Sequence, residues 1–206
     1  MLHLYYDRHE ETPFFGAFRS QGYLSEATIP GFNAEQLAMA NLPPLLRTLL
    51  ITDGTVTKSL EAFFWEPVTV DTILLETVTA ARQVNWLEVT PGEEVLLREV
   101  QLRGTQSQRI YATAFSVVRL SVLSPEIREA LTSGKVGIGV LIRDSGLESY
   151  REILDIKADN REFLLTAVKP EAPQAADIVS RTYRIIANHQ PAILITENFP
   201  ITHYAR

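Results

Sequence analysis

The sequence has no cysteine among its 206 residues, which excludes disulfides, thiolate nucleophiles and thiolate metal sites. It also lacks any apolar run near the roughly 18 residues that indicate a membrane span. The stretch MLHLYYDRHEETPFF does not have the basic-then-apolar order of a secretory signal, so we expect none. We therefore expect a cytoplasmic protein without a membrane span.

Acidic residues outnumber basic ones, and the four histidines are scattered. The formal net charge of -6 provides no overall field that would attract nucleic acid, so a small molecule is the expected partner. The four histidines lie near the ends or in a hairpin loop without ligand spacing, so we expect no metal site; they are His3, His9, His189 and His203.

Two helices are indicated in the first third of the chain. The stretch LPPLLRTLLITDG predicts a helix from Pro44 to Thr52, because a proline starts an apolar segment of helical length. A second helix is predicted from an N-cap at Thr57 to a stop before Pro67. The pair resembles a helix-turn-helix hairpin in shape, but Lys58 is the one cation of the second helix, so DNA reading is not expected.

From Pro67 onward the apolar pattern has a period of two, which is typical of strands. The loops RGTQSQ and NHQP are short, so the strands that they connect must pair antiparallel. A further helix is predicted between the strands, with Ser124 as N-cap and Gly134 past its end. The predicted strands are Val68–Ala80, Glu94–Arg103, Arg109–Leu120, Ser149–Lys157, Ser180–Asn188 and Ala192–Phe199.

These elements predict an α+β fold with a six-stranded antiparallel sheet and the helices on one side. We find no repeat or linker that would divide the chain, so residues 1–206 are expected to form a single domain. Residues 1–40 form an N-terminal extension with weak periodicity, to which the pattern assigns no role.

A glutamate interrupts an apolar strand face near the C-terminus. In PAILITENFP, Glu197 shares its face with Ile193 and Ile195, where a carboxylate is costly unless it is protonated, paired or bound to a ligand. In EVLLREVQL, Arg98 lies on the apolar face in the same way. Parity alone favours a plain Arg98–Glu197 ion pair, and the alternative is that both residues share a ligand cavity. Glu76 also falls on an apolar parity, and we interpret it as a strand-end or bulge residue.

Glycines surround Ile138 in the stretch SGKVGIG. Glycines let a backbone approach a ligand closely and can turn amides toward an anion. The spacing does not match a dinucleotide fingerprint or a phosphate-binding loop. Taken alone, the stretch is more often a helix exit followed by a turn.

Four segments in a fixed order resemble the chorismate pyruvate-lyases: LLITDGTVTKSLE, VLLREVQL, GKVGIG and PAILITENFP. The resemblance covers residues 43–204. It implies a chorismate lyase-like fold, with a six-stranded antiparallel sheet, helices on one face, and an internal ligand cavity beneath two helix-turn-helix flaps. The same fold also serves as an effector-binding module in transcription regulators, so the fold alone does not imply catalysis.

The resemblance also implies a reaction and a set of site residues. Chorismate would lose its enolpyruvyl group as pyruvate and leave 4-hydroxybenzoate, a precursor of quinones or related aromatic compounds, without a metal or an organic cofactor. By position, Arg98 would bind a substrate carboxylate, Glu197 would meet the ring hydroxyl, and the backbone amides of Val56 and Ile138 would complete the carboxylate site. Position 56 is valine where the best-known relatives have methionine. The alternatives are a non-catalytic module that binds small carboxylates, or a related lyase that forms a different hydroxybenzoate.

Overall fold

Eight strands and four α-helices make up the part of the chain that the structure describes. The structure, a computed structural model, describes residues 1–6, 8, 21–31, 36–134, 137–159 and 178–205. The helices are α1 (Pro44–Ile51), α2 (Val56–Phe64), α3 (Pro125–Thr132) and α4 (Ile138–Asp144). The strands are β1 (Thr28–Pro30), β2 (Gln36–Ala38), β3 (Val68–Thr79), β4 (Glu94–Gly104), β5 (Ile110–Arg119), β6 (Ser149–Asp159), β7 (Ile178–Ala187) and β8 (Gln190–Pro200).

The main sheet has six strands in the order β3-β4-β5-β8-β7-β6, and each neighbouring pair is antiparallel. The predicted antiparallel sheet is therefore confirmed, and the predicted strand ends differ from the observed ones by at most two residues. Strands β1 and β2 form a separate two-stranded sheet within the N-terminal extension. The weak periodicity of that region gave no sign of them.

The two faces of the main sheet have different covers. Residues of α1 to α4 pack against one face of the sheet and form a single apolar cluster with it. This cluster includes Leu49, Leu60 and Leu131. A second cluster lies on the opposite face, where the Tyr5 ring stacks on Phe115 with centroids 5.9 Å apart. The helices therefore lie on one face, as predicted, and the 3-10 turns Leu2–Tyr5 and Asn85–Leu87 contribute to the other cover.

The helix starts follow local signals. Pro44 occupies the first turn of α1, and Ser124 caps α3 by accepting a hydrogen bond from the Ile127 amide at 3.4 Å. The predicted N-cap of α2 at Thr57 is wrong. Thr55 is the N-cap, because its backbone is extended and its carbonyl already accepts from the amides of Lys58 and Ser59.

Helix α4 was not predicted. The glycine stretch does contain the expected helix exit, since Gly134 follows α3 with a φ of +69°. However, Gly137 is then the N-cap of α4, which runs from Ile138. The intervening residues 135–136 of this stretch lie outside the described residues.

The β4–β5 hairpin is held by the carboxylate of Glu66. This carboxylate accepts hydrogen bonds from the amides of Gln106 (2.7 Å) and Ser107 (3.0 Å) and from the Tyr111 hydroxyl. Hydrogen bonds from Tyr111 and Ser107 lower the pKa of Glu66 to about 2. A Cβ on Gly104 would lie 2.5 Å from Glu66 Oε1, so a larger residue at this position would require the carboxylate to move.

The bulge in β3 explains Glu76. The register with β4 shifts between Thr72 and Leu74, so Leu75 lies opposite Arg98 and Glu76 lies opposite Leu97. Glu76 is exposed on this edge strand, which agrees with its interpretation as a strand-end or bulge residue.

Across the described ranges, no helix has the length and apolar character needed to cross a membrane.

Candidate active site

A cavity of about 290 Å³ lies between the sheet and the first turns of α2 and α4. Its volume is close to the lower end of the roughly 300–1,000 Å³ of ligand pockets. The four residues that the sequence singled out all line this cavity: Val56, Arg98, Ile138 and Glu197. Apolar residues complete the sheet side, among them Val100, Leu102, Ile185 and Ile195. Residues that are far apart in the chain, such as Val56 and Glu197, are thus brought to one site by the fold.

Arg98 is a buried cation without a partner. The residue is 4% exposed, and its Nε forms no hydrogen bond. Among the described residues, no carboxylate lies within ion-pair distance of its guanidinium. Burial lowers the pKa of Arg98 because water no longer stabilises the charged form. A buried, unpaired guanidinium beside a cavity is suited to an anionic ligand, which would supply the missing counter-charge.

Glu197 is a buried carboxylate with both oxygens engaged. It is 8% exposed. Its Oε2 accepts a hydrogen bond from Arg181 Nε at 2.7 Å, and its Oε1 accepts one from the Tyr183 hydroxyl at 3.2 Å. Burial and the charge of Glu197 raise the pKa of Tyr183, so its hydroxyl stays protonated and can donate.

The Arg98–Glu197 ion pair, which parity favoured, is therefore wrong. Arg181 lies directly opposite Glu197 in the β7–β8 register. Strand β5 separates β4 from β8, and across it Glu197 is in register with Val100 and not with Arg98. The backbones of Arg98 and Glu197 are therefore more than two inter-strand spacings, or more than about 10 Å, apart. Alternation places both side chains on the correct face, but it does not specify which strands are neighbours.

Arg181 was missed by the sequence reasoning. Its side chain is 1% exposed, its Nη1 donates to the Thr52 carbonyl at 2.9 Å, and its guanidinium lies 4.9 Å from the centroid of the Tyr183 ring. The sequence did contain a signal for it: Arg181 alternates with Val179 and Tyr183, so it lies on the same face of β7 as these two buried residues. Arg181 thus connects Glu197 to the loop between α1 and α2.

Val56 and Ile138 are the first residues of α2 and α4. Neither helix start has a side-chain cap, and the amides of these first residues have no partner within the helix. A Cβ on Gly139 would lie 3.6 Å from Thr55 Cγ2, which places the two helix starts next to each other. The backbone at both positions is therefore accessible to a ligand in the cavity.

The charges around the cavity are mainly positive. Lys58, Arg98, Arg143 and Arg151 line it together with the carboxylates of Glu61 and Glu197. Within the described ranges, no three His, Asp or Glu side chains come together as a group that could hold a metal ion. The lining is therefore suited to a ligand that carries negative charge.

Comparison with known proteins is consistent with this geometry. The sequence matches the family model described as Rv2949c-like chorismate pyruvate-lyase over residues 50–205, which is more than half of the chain. The chain belongs to the Rv2949c-like chorismate pyruvate-lyase family. The resemblance based on four sequence segments is thereby confirmed, and the matched range contains α2 and the six strands of the main sheet.

Three similar proteins illustrate the relation to this family. A chorismate pyruvate-lyase of Mycobacterium leprae (strain TN) is 32% identical over 155 residues, which cover 75% of this chain and 73% of that protein. A protein of Methanocaldococcus jannaschii, provisionally named a lyase, is 32% identical over 165 residues, covering 77% and 80% of the two chains. The crystal structure of PhnF from Mycobacterium smegmatis superposes with a TM-score of 0.53 at 13% identity, over 73% of this chain and 65% of that chain. At that identity the likeness shows the fold alone, the chorismate lyase-like fold.

Proposed function

We propose that this protein is a chorismate pyruvate-lyase that converts chorismate to 4-hydroxybenzoate and pyruvate. One observation carries the proposal: an unpaired buried arginine, Arg98, and an ion-paired buried glutamate, Glu197, line the same cavity. A structural pair would have neutralised Arg98 with Glu197. Because Glu197 is neutralised by Arg181 instead, the charge of Arg98 is left for a ligand.

Arg98 binds the ring carboxylate in this proposal. A planar guanidinium can donate two parallel hydrogen bonds to a carboxylate, and burial among apolar residues strengthens that contact. The amides of Val56 and Ile138, at the uncapped starts of α2 and α4, donate to the same carboxylate. The carboxylate supplies the counter-charge that Arg98 lacks in the protein alone.

Glu197 accepts a hydrogen bond from the ring hydroxyl. Arg181 and Tyr183 hold one oxygen each, and every carboxylate oxygen has a second lone pair that can accept from the ligand. The separation of Arg98 and Glu197 by one intervening strand is suited to a ring with its carboxylate and hydroxyl at opposite ends. This arrangement favours 4-hydroxybenzoate over the 3-hydroxy isomer.

The chemistry requires little beyond positioning and charge. The C–O bond to the enolpyruvyl group breaks, the ring carbon that bears the hydroxyl loses its proton, and the ring becomes aromatic. The enolpyruvyl fragment gains one proton and leaves as pyruvate, so atoms and charges balance. Arg98 and Glu197 fix the ring, and the cations of the lining stabilise negative charge on the departing fragment.

The test is a direct turnover assay. Purified protein is incubated with chorismate, and both products are separated and quantified by liquid chromatography. We expect pyruvate and 4-hydroxybenzoate in equal amounts, well above the spontaneous rate. Folded protein that forms no product above that rate would refute the proposal, and saturable binding without turnover would indicate a binding module. A 3-hydroxybenzoate product would support the lyase activity but show that the proposed ring product is wrong.

A further inference from the structure

Arg151 is a second arginine of the cavity that has an unused donor. It lies on β6 opposite Ile185 and lines the cavity. Its Nη1 donates to the Asp53 carbonyl at 2.5 Å, but its Nε is buried without a hydrogen-bond partner. A buried donor without a partner costs free energy, so an unpaired Nε at a cavity indicates a ligand acceptor.

The other cations of the lining are less suited to a ligand. Lys58 is 69% exposed and pairs with Glu61 at 2.6 Å. Arg143 is 64% exposed and donates to both carboxylate oxygens of Asp144, at 2.7 and 3.1 Å. Of the four cations that line the cavity, Arg98 and Arg151 are the two without a carboxylate partner among the described residues.

The two arginines approach the cavity from opposite sides. In the strand order, Arg98 on β4 and Arg151 on β6 are separated by three strands, and Glu197 on β8 lies between them. If Arg98 binds the ring carboxylate and Glu197 the hydroxyl, a group on the carbon next to the hydroxyl extends away from Arg98. In chorismate that group is the enolpyruvyl ether, which carries the second carboxylate.

We propose that Arg151 binds the carboxylate of the leaving enolpyruvyl group and thereby selects a dicarboxylic substrate over the monocarboxylic ring product. This inference rests on the proposed function. Arg151 loses its ligand contact once pyruvate departs, so the ring product is held by Arg98, Glu197 and the amides of Val56 and Ile138. Its bond to Asp53 also connects the substrate to the loop that leads into α2.

The test compares two ligands on matched variants. In Arg151→Gln, we expect the KM for chorismate to rise about 10- to 100-fold, the range for losing a hydrogen bond between charged groups. The dissociation constant of 4-hydroxybenzoate, measured by calorimetry, should change less than about twofold. Arg151→Lys should partly restore the KM because it keeps the charge. Arg103→Gln serves as the control, since Arg103 pairs with Asp71 and lies outside the cavity.

Three results would overturn the inference. Equal weakening of both ligands would mean that Arg151 acts through the loop, and unchanged constants would mean that it does not contact the substrate. A selective loss in Arg143→Gln, with none in Arg151→Gln, would assign the role to Arg143. If the wild type binds both ligands without turnover, the proposed function fails, whereas the selectivity of Arg151 is still decided by the two binding constants.

Discussion

Replacing Arg181 with methionine should destabilise the protein strongly, because it leaves the carboxylate of Glu197 buried without its cation. The Arg181 side chain is 1% exposed, and its Nε lies 2.7 Å from Glu197 Oε2. Removing one partner of a buried ion pair costs about 3–5 kcal/mol. The same change removes the hydrogen bond from Nη1 to the Thr52 carbonyl. Urea unfolding should therefore show a midpoint at least about 1 M lower, given a slope of up to ~3 kcal/mol/M.

A double-mutant cycle isolates the ion pair from the lost packing. Glu197→Gln alone should also destabilise the protein, because the buried guanidinium of Arg181 then has no counter-charge, although the amide oxygen can still accept from it. Arg181→Met combined with Glu197→Gln should be more stable than Arg181→Met alone, since no uncompensated carboxylate remains. The coupling free energy of contacting groups is about 0.5–3 kcal/mol. Effects that add within about 0.5 kcal/mol would show that the ion pair does not hold Glu197, and the reasoning would fail.

Turnover gives an independent measurement on the same variants. Arg181 does not line the cavity, so it acts on the substrate through the orientation of Glu197. In Arg181→Met, we expect kcat to fall by at least about tenfold while the KM for chorismate changes less than threefold, with partial rescue in Arg181→Lys. A change in KM alone would contradict this positioning role.

Three further outcomes are expected from other positions. Arg98→Met should reduce turnover by about 10²- to 10³-fold. It should leave the urea midpoint unchanged or higher, because it removes a buried, unpaired charge. A lower midpoint would contradict that account. Glu66 has a folded-state pKa of about 2 against an ordinary value of 4.5, so its contribution to stability is complete above pH 4.5 and is lost as the pH falls toward 2. Urea midpoints measured from pH 7 to pH 2 should show this loss in the wild type, and Glu66→Gln should lower the midpoint at pH 7 and remove that part of the pH dependence. Gly104→Ala should destabilise the protein by about 1–3 kcal/mol in thermal unfolding, because its methyl group meets a carboxylate that is fixed by three hydrogen bonds; a neutral effect would show that the Glu66 side chain can move.

The strands, and the inward direction of Arg98 and Glu197, could be predicted from the local sequence pattern. Alternation along a strand depends on that strand alone, so the face of each residue can be predicted without knowing its neighbours. The partner of Glu197 cannot be predicted in this way, because it depends on β8 lying next to β7 and on their register. Both are properties of the assembled sheet.

Helix α4 escaped prediction for a different reason. Its sequence is short, contains Gly139 and has β-branched residues, all of which disfavour a helix on intrinsic propensity. Packing decides the outcome, since Ile138 is buried and Gly139 lies against Thr55 at the start of α2. The helix is therefore stabilised by contacts that the local sequence does not contain.

The position of β8 within the sheet has a consequence for how the protein folds. Before β8 is added, β3, β4 and β5 form one antiparallel unit and β6 and β7 form another, with no hydrogen-bonded pair between them. Arg98 belongs to the first unit and Arg151 and Arg181 to the second, and Gln190–Pro200 joins the two. Such pairing between distant parts of a chain forms slowly. During synthesis, the sheet that positions these charged groups therefore cannot be completed before residue 200 has been added.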